Sequence, residues 1–176
     1  MNSLCAIQIG SRLSNLLRVG GILLISGASF SQGLYNEAEI HIDGAAVFID
    51  GSVHNNGLVI NEGILGFAGD WESDGHYKGS GVLDAYGQGT QRIFHYGHKV
   101  SSLFINGPGA KYIKGEISVT GALRLNSGIV HVSYGDVLRL TEGALISGGS
   151  TDSYVDGAIT AEGTVHRFFP IGKNGI

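Results

Sequence analysis

One cysteine, two prolines, one methionine and one tryptophan are all that 176 residues contain of these four types. Cys5 stands alone near the N-terminus. A single cysteine excludes an intrachain disulfide framework and a thiolate metal site, so stability must come from a packed core and hydrogen-bonded ladders. The shortage of proline, with no glycine at every third position, excludes a collagen-like chain. Positive charge is scarce too: 11 Lys and Arg stand against 15 Asp and Glu, a formal net charge of −4. A nucleic-acid binder would need a larger charge of the opposite sign. After residue 31 no apolar stripe of helical period can be found, which argues against helices.

Glycine, by contrast, is abundant, with 30 residues. Those at 51, 57, 63, 69, 75, 81 and 87 fall six apart without a miss. Two places after each of the first six comes an apolar residue: Val53, Val59, Leu65, Trp71, Tyr77 and Leu83. A turn, a short strand with one inward side chain and another turn is the sequence form of a β-solenoid. Asp43-Gly44, Asp50-Gly51, Asn56-Gly57, Glu62-Gly63 and Asp74-Gly75 supply the turns, and glycine after an acid or amide predicts positive φ there. The same dipeptides also mark two-residue hairpins. Hairpins at this spacing would leave strands of only about four residues, which suits stacked coils better than an antiparallel sheet.

The rhythm lapses over residues 88–108, where Gln91–Tyr96 and Ser102–Ile105 read as two strands before the turn Asn106-Gly107-Pro108-Gly109. Longer alternating segments follow. Ile117/Val119, Leu123/Leu125, Val130/Val132 and Leu138/Leu140 predict an apolar face, with Glu116, Ser118, Arg124, His131 and Arg139 on the other. The fold class is therefore all-β, a single-domain parallel β-helix with three short segments per coil. Coils of about 18–22 residues give roughly six or seven turns in a rod about 30 Å long.

Residues 1–31 differ in composition. Arg12 and Arg18 precede the apolar run Val19–Ile25, and small residues follow up to Ser31. This is the pattern of a cleavable secretory signal peptide, with cleavage expected after Ser31. The run is short for a bilayer span, so once the leader is removed no membrane segment is expected. The remaining domain, residues 32–176, carries 9 Lys and Arg against 15 Asp and Glu, a net of −6. Leu34–Phe48 is a candidate N-terminal cap. The apolar, turn-rich run Phe168–Ile176 predicts continuation into a longer protein.

The succession from Gly44 to Gly75 (DG…NNG…NEG…GDWESDG), GALRLNSG at 121–128, STDSYVDG at 150–157 and FPIGKNG at 169–175 resembles the N-terminal regions of large secreted proteins of Bacteroidetes-type bacteria. Many of those are type IX secretion cargo. The resemblance spans nearly all of the chain after the leader and implies a β-helical, cell-surface or secreted segment placed before further modules. It implies no catalytic residues.

Charge is unevenly distributed. Residues 32–84 hold nine acids (Glu37, Glu39, Asp43, Asp50, Glu62, Asp70, Glu72, Asp74, Asp84) and one base, Lys78. Residues 85–133 hold five bases (Arg92, Lys99, Lys111, Lys114, Arg124) and Glu116. Stacked turns could gather oxygens into a Ca²⁺ site, for which Asp70, Asp74 and Asp84 are the candidates. Turn chemistry accounts for the same residues, and neither the nonapeptide Ca²⁺ repeat nor an EF-hand loop is present. No other metal and no organic cofactor is expected. Asp70, Glu72 and Asp74 alternate, so they share one strand face while Trp71 points to the other. Three like charges there could raise a pKa for general acid chemistry on a glycan. His95 and His98 form an HxxH without a third ligand and read as a surface loop. The seven tyrosines read chiefly as fillers of coil interior or corners.

Two functional readings follow. In the first, a secreted or cell-surface β-helical segment with no catalytic residues presents a repetitive polar surface to extracellular glycans or surface proteins, through many weak contacts. The alternative is a carbohydrate-active β-helix, a polysaccharide lyase or hydrolase using carboxylates near Asp70–Asp84, in which case the carboxylates must converge in a groove.

Overall fold

The computed structural model describes residues 33–163 and the backbone of residues 16–19 and 22–25. Most of the expected signal peptide, and the run Phe168–Ile176, lie outside the described residues. The chain winds as a parallel β-solenoid, with no helix among the described residues. Its first coil contains β1 (Leu16–Val19), β2 (Ile22–Ile25) and β3 (Leu34–Asn36), and its second β4 (Glu39–Ile42), β5 (Ala46–Ile49) and β6 (Val53–Asn55). The third comprises β7 (Leu58–Asn61), β8 (Ile64–Phe67) and β9 (Trp71–Ser73), and the fourth β10 (His76–Lys78), β11 (Val82–Ala85) and β12 (Gln91–Phe94). Later coils contain β13 (Lys99–Ile105) with β14 (Lys111–Lys114), then β15 (Glu116–Leu125) with β16 (Val130–Val132). The last described strands are β17 (Val137–Leu140), β18 (Leu145–Gly148), β19 (Val155–Gly157) and β20 (Ile159–Ala161).

Three sides result. The first is β1-β4-β7-β10, and the third is the seven-stranded run β3-β6-β9-β12-β14-β16-β19, which marks six full turns. Beyond β10 the first and second sides fuse. β15 runs along both, pairing β17 through Glu116–Val119 and β18 through Ala122–Leu125. A register shift between Val100 and Ser102 of β13 against β15 marks the bend that replaces a glycine corner. Leu34–Phe48 does not form a separate cap; it supplies β3, β4 and most of β5, in register with the coils above.

Alternation explains the core. Val53, Val59, Leu65, Trp71, Tyr77 and Leu83 all point inward and are buried, as are Ile117, Val119, Leu123, Leu125, Val130, Val132, Leu138 and Leu140. Each fully buried Leu or Val stabilises the fold by about 1.5–3 kcal/mol relative to exposure. Ser118 departs from this pattern: it faces outward yet is buried, a short side chain in register between Lys99 and Arg139.

The six-residue glycine step has a cause other than the one expected. Glycines 51, 57, 63, 69, 75, 81 and 87 do not adopt positive φ, whereas Gly44 does, at 65°. Three six-residue sides make an 18-residue coil, so the ladder glycines stack in columns, Gly75 on Gly57 and Gly81 on Gly63. A Cβ on Gly81 would sit 2.5 Å from the Gly63 carbonyl oxygen and 2.6 Å from Asn61 Oδ1. The Gly63 carbonyl oxygen accepts the amide of Val82 at 2.8 Å, so close stacking and the ladder are the same contact. Close approach, rather than left-handed backbone, requires glycine there.

Polar residues also enter the interior. Asn36 Nδ2 donates to Asn55 Oδ1 at 2.7 Å and Asn55 Nδ2 to Ser73 Oγ at 2.9 Å, a buried ladder one rung per coil. Asn61 Nδ2 donates to Tyr77 Oη at 2.8 Å and to the Val82 carbonyl at 2.9 Å. Lys111, one of the five bases of residues 85–133, is fully buried. Its Nζ donates to the carbonyls of Gly87, Gly89 and Gly109 at 2.9, 3.2 and 3.0 Å, and burial pushes its pKa down to about 8.

His95 is likewise inside and not in a surface loop. Trp71 Nε1 donates to His95 Nδ1 at 3.0 Å, so the ring is neutral with its proton on Nε2. Burial, aided by the nearby His98, pushes the His95 pKa down to about 3. Tyr77 packs edge-on against both rings. With Phe67 tilted onto Trp71, these four rings form an aromatic centre shared by the third and fourth coils.

Candidate functional site

Parallel in-register stacking turns one outward position per strand into a column along the rod. On the third side two such columns run beside each other. One passes Tyr35, His54, Glu72, Phe94 and Lys114; the other passes Asp70, Arg92, Tyr112, His131 and Asp156. Between them lies a groove of about 400 Å³ lined by Asp70, Trp71, Glu72, Arg92, Phe94 and Lys114. Phe94 sits at its centre, in register with Glu72 below and Lys114 above, and Arg92 lies two residues back on the same strand.

The columns contain the same three-rung arrangement twice. Tyr35 stacks on His54 with ring centroids 5.0 Å apart, and His54 Nδ1 meets Glu72 Oε2 at 3.1 Å. Tyr112 stacks on His131 at 4.8 Å, and His131 Nδ1 meets Asp156 Oδ2 at 3.1 Å. With Nδ1–H donated to a carboxylate, each Nε2 is the ring's acceptor.

Aromatic side chains concentrate on this side. Tyr35 and Tyr96 are more than half exposed and Tyr134 is fully so; the exposed large aliphatics, Ile64 and Leu145, belong to β8 and β18 on the second side. Tyr96 and Tyr134 each precede a glycine at positive φ, Gly97 and Gly135, at the corner where the third side turns into the first. Lys114 precedes Gly115 at the same corner one coil apart from each, so this corner, beside the groove, displays Tyr96, Lys114 and Tyr134 on successive coils. Tyr96 itself has a φ of 27°, the only positive value for a non-glycine among the described residues. A bulky residue in that region is strained by roughly 1–3 kcal/mol, and such strain clusters at functional sites. Its ring centroid lies 4.2 Å from that of Phe94 with the two planes tilted by 57°, so the pair forms an angled aromatic platform.

No protein-family model, curated protein or solved structure matches the chain. The chemistry of the groove therefore rests on its own residues.

The expected acids take different positions. Asp70, Glu72 and Asp74 do lie on the outward side of β9 and its flanks, opposite the buried Trp71. Trp71 is thus unavailable as a sugar platform, and Phe94, from the next coil, occupies that position. Asp70 accepts from Arg92 Nε at 3.0 Å and from the Arg92 amide at 2.8 Å, while Glu72 is engaged by His54. Asp74 is exposed on the turn after β9. Asp84 lies on the second side, nearly buried, where Asn106 Nδ2 donates to its Oδ1 at 2.8 Å. Burial pushes the Asp84 pKa up, and the Asn106 hydrogen bond partly opposes this. The three Ca²⁺ candidates are therefore not brought together, and no cluster of three or more His, Cys, Asp or Glu is placed for a metal ion among the described residues.

Two features of this site escaped the sequence reading. Phe94 and Tyr96 flank His95, and their outward parity was available from Ile93 and His95 pointing in. The repeated Tyr–His–acid rungs were not available, since their members lie 18 to 25 residues apart at unequal offsets.

Proposed function

We propose that this chain is a non-catalytic, ligand-presenting segment of a secreted or cell-surface protein, and that the outer third side binds extended extracellular glycans or surface proteins. The observation that carries this reading is the platform of Phe94 and the strained, exposed Tyr96 over the groove. An amphipathic ring half out in water offers contact area at small entropic cost, which suits recognition of sugar faces or protein loops. Repeated rungs along the rod supply further weak contacts to a ligand that follows its axis, and these act together. Pairing of Asp70 with Arg92 and of Glu72 with His54 favours a binding role over general acid catalysis, because each carboxylate is already engaged by a basic side chain.

The test is binding of the purified protein to arrays of extracellular glycans and surface proteins, comparing the wild type with Phe94→Ala and Tyr96→Ala. Both variants are expected to lose most of the signal, and Leu145→Ala on the second side is expected to keep it. Release of new reducing or unsaturated sugar ends, or binding indifferent to Phe94 and Tyr96, would overturn the reading.

A further inference from the structure

The ion pairs on the groove are asymmetric in exposure. Arg92 is 71 % exposed while its partner Asp70 is 33 % exposed, and Lys114 is 43 % exposed while Asp136 is 14 % exposed. Both carboxylates are tied to the backbone of a neighbouring coil: Asp70 Oδ1 takes the Arg92 amide at 2.8 Å and Asp136 Oδ1 takes the Gly115 amide at 2.9 Å. The acids serve the backbone, and the cations face the solvent. Asp70 engages Nε and Nη2 of Arg92 through Oδ2, leaving the Nη1 edge with no hydrogen bond among the described residues. A guanidinium has five N–H donors and an ammonium three, so both side chains keep donors for a second anion.

These two cations flank the aromatic platform. Lys114 is the cross-strand partner of Phe94, and Arg92 lies two residues before it on β12. One strand spacing and two residues of rise put their backbones about 8 Å apart, within convergence distance for two long side chains. Gly115, at a φ of 68°, is also part of this site, since a Cβ there would reach Phe94 Cε2 at 2.9 Å and crowd the ring.

We propose that the groove around Phe94 binds an acidic polysaccharide, its sugar ring stacked on Phe94 and flanked by the tilted ring of Tyr96, and its carboxylate or sulfate group held between Arg92 and Lys114. This rests on the reading of the third side as a ligand surface and names its ligand class. Glu72, below Phe94, accepts from ring hydroxyls, which distinguishes a glycan from a simple polyanion. The protein's overall negative charge opposes polyanions at long range, so affinity must come from this local pairing.

Affinity gel electrophoresis of the purified protein against alginate, dextran sulfate and neutral dextran tests the inference. Retardation by alginate identifies a carboxylate ligand and retardation by dextran sulfate a sulfate ligand; dextran is expected to leave mobility unchanged. Arg92→Gln and Lys114→Met should each weaken binding about tenfold, as expected for loss of a charge-assisted contact. Lys99→Met, the same charge change at the exposed first residue of β13, should have no effect. Wild-type affinity should also fall from low to high salt, a measurement independent of any variant. Dextran retarded as strongly as the acidic polymers, affinity indifferent to salt, or an Arg92→Gln/Lys114→Met double variant that binds as the wild type overturns the acidic class. Phe94-dependent array binding would then leave the broader reading standing. Retardation by none of the three polymers also overturns the inference, and absence of any Phe94-dependent partner removes the broader reading with it.

Discussion

Acid should destabilise this solenoid through one residue. His95 is held neutral in the core, accepting from Trp71 Nε1 at 3.0 Å and pressed by Tyr77 and Trp71. Its pKa is about 3 in the fold against an ordinary 6.5 in the unfolded chain. Between those values the unfolded state binds a proton that the native state refuses, so stability falls as pH drops below 6.5 and the loss is complete only near 3. At roughly pH 4.5 the linkage amounts to about 3 kcal/mol, a large part of the 5–15 kcal/mol typical of a domain. Urea unfolding at neutral pH and at that pH, followed by far-UV circular dichroism, measures the difference. His95→Gln supplies the control: it keeps an acceptor for the Trp71 indole but cannot titrate, so its acid loss should be smaller by about the same amount. Equal acid losses in both proteins, or a His95 imidazole whose NMR titration centres near 6.5 in the folded state, would refute the argument.

Two further predictions concern the scaffold. Leu83 is fully buried on β11, and Leu83→Asp should cost about 4 kcal/mol or more by adding an unpaired charge to the loss of apolar burial; unchanged thermal unfolding would show that the position is not inward. Gly81→Ala should destabilise by about 2 kcal/mol, from the collision with the coil beneath, and by more than Gly44→Ala, which meets open space and only a positive φ; the reverse order in chemical denaturation would show that φ, not stacking, selects glycine in the ladder.

Much of this architecture can be read locally. The parity that places Val53, Leu65, Trp71 and Leu83 inside also places Asn55 and Ser73 inside, two residues after Val53 and Trp71. The interior asparagine ladder was thus within reach, and was masked by reading Asn56-Gly57 as the feature that mattered. His95 was read as a surface residue, and the burial of Lys111 was not foreseen, for a different reason. Charge and polarity ordinarily mean the surface, and their burial is tolerated here only because three carbonyls converge on one and an indole donates to the other. Apart from Gly109, those partners come from other segments of the chain.

Spacing and alternation act between neighbours in sequence, so glycine corners, inward columns and the all-β class are written in the chain itself. The outer third side depends on which residue of one coil lies over which residue of the next. That offset changes from 18 residues at His54 and Glu72 to 22 at Asp70 and Arg92 and 25 at His131 and Asp156. Each added residue in a corner shifts every later column, so no fixed period can align them. Only the closed coils, with their parallel hydrogen bonds setting the register, bring Arg92, Phe94 and Lys114 to one groove and tuck Asp70 and Asp136 beneath it.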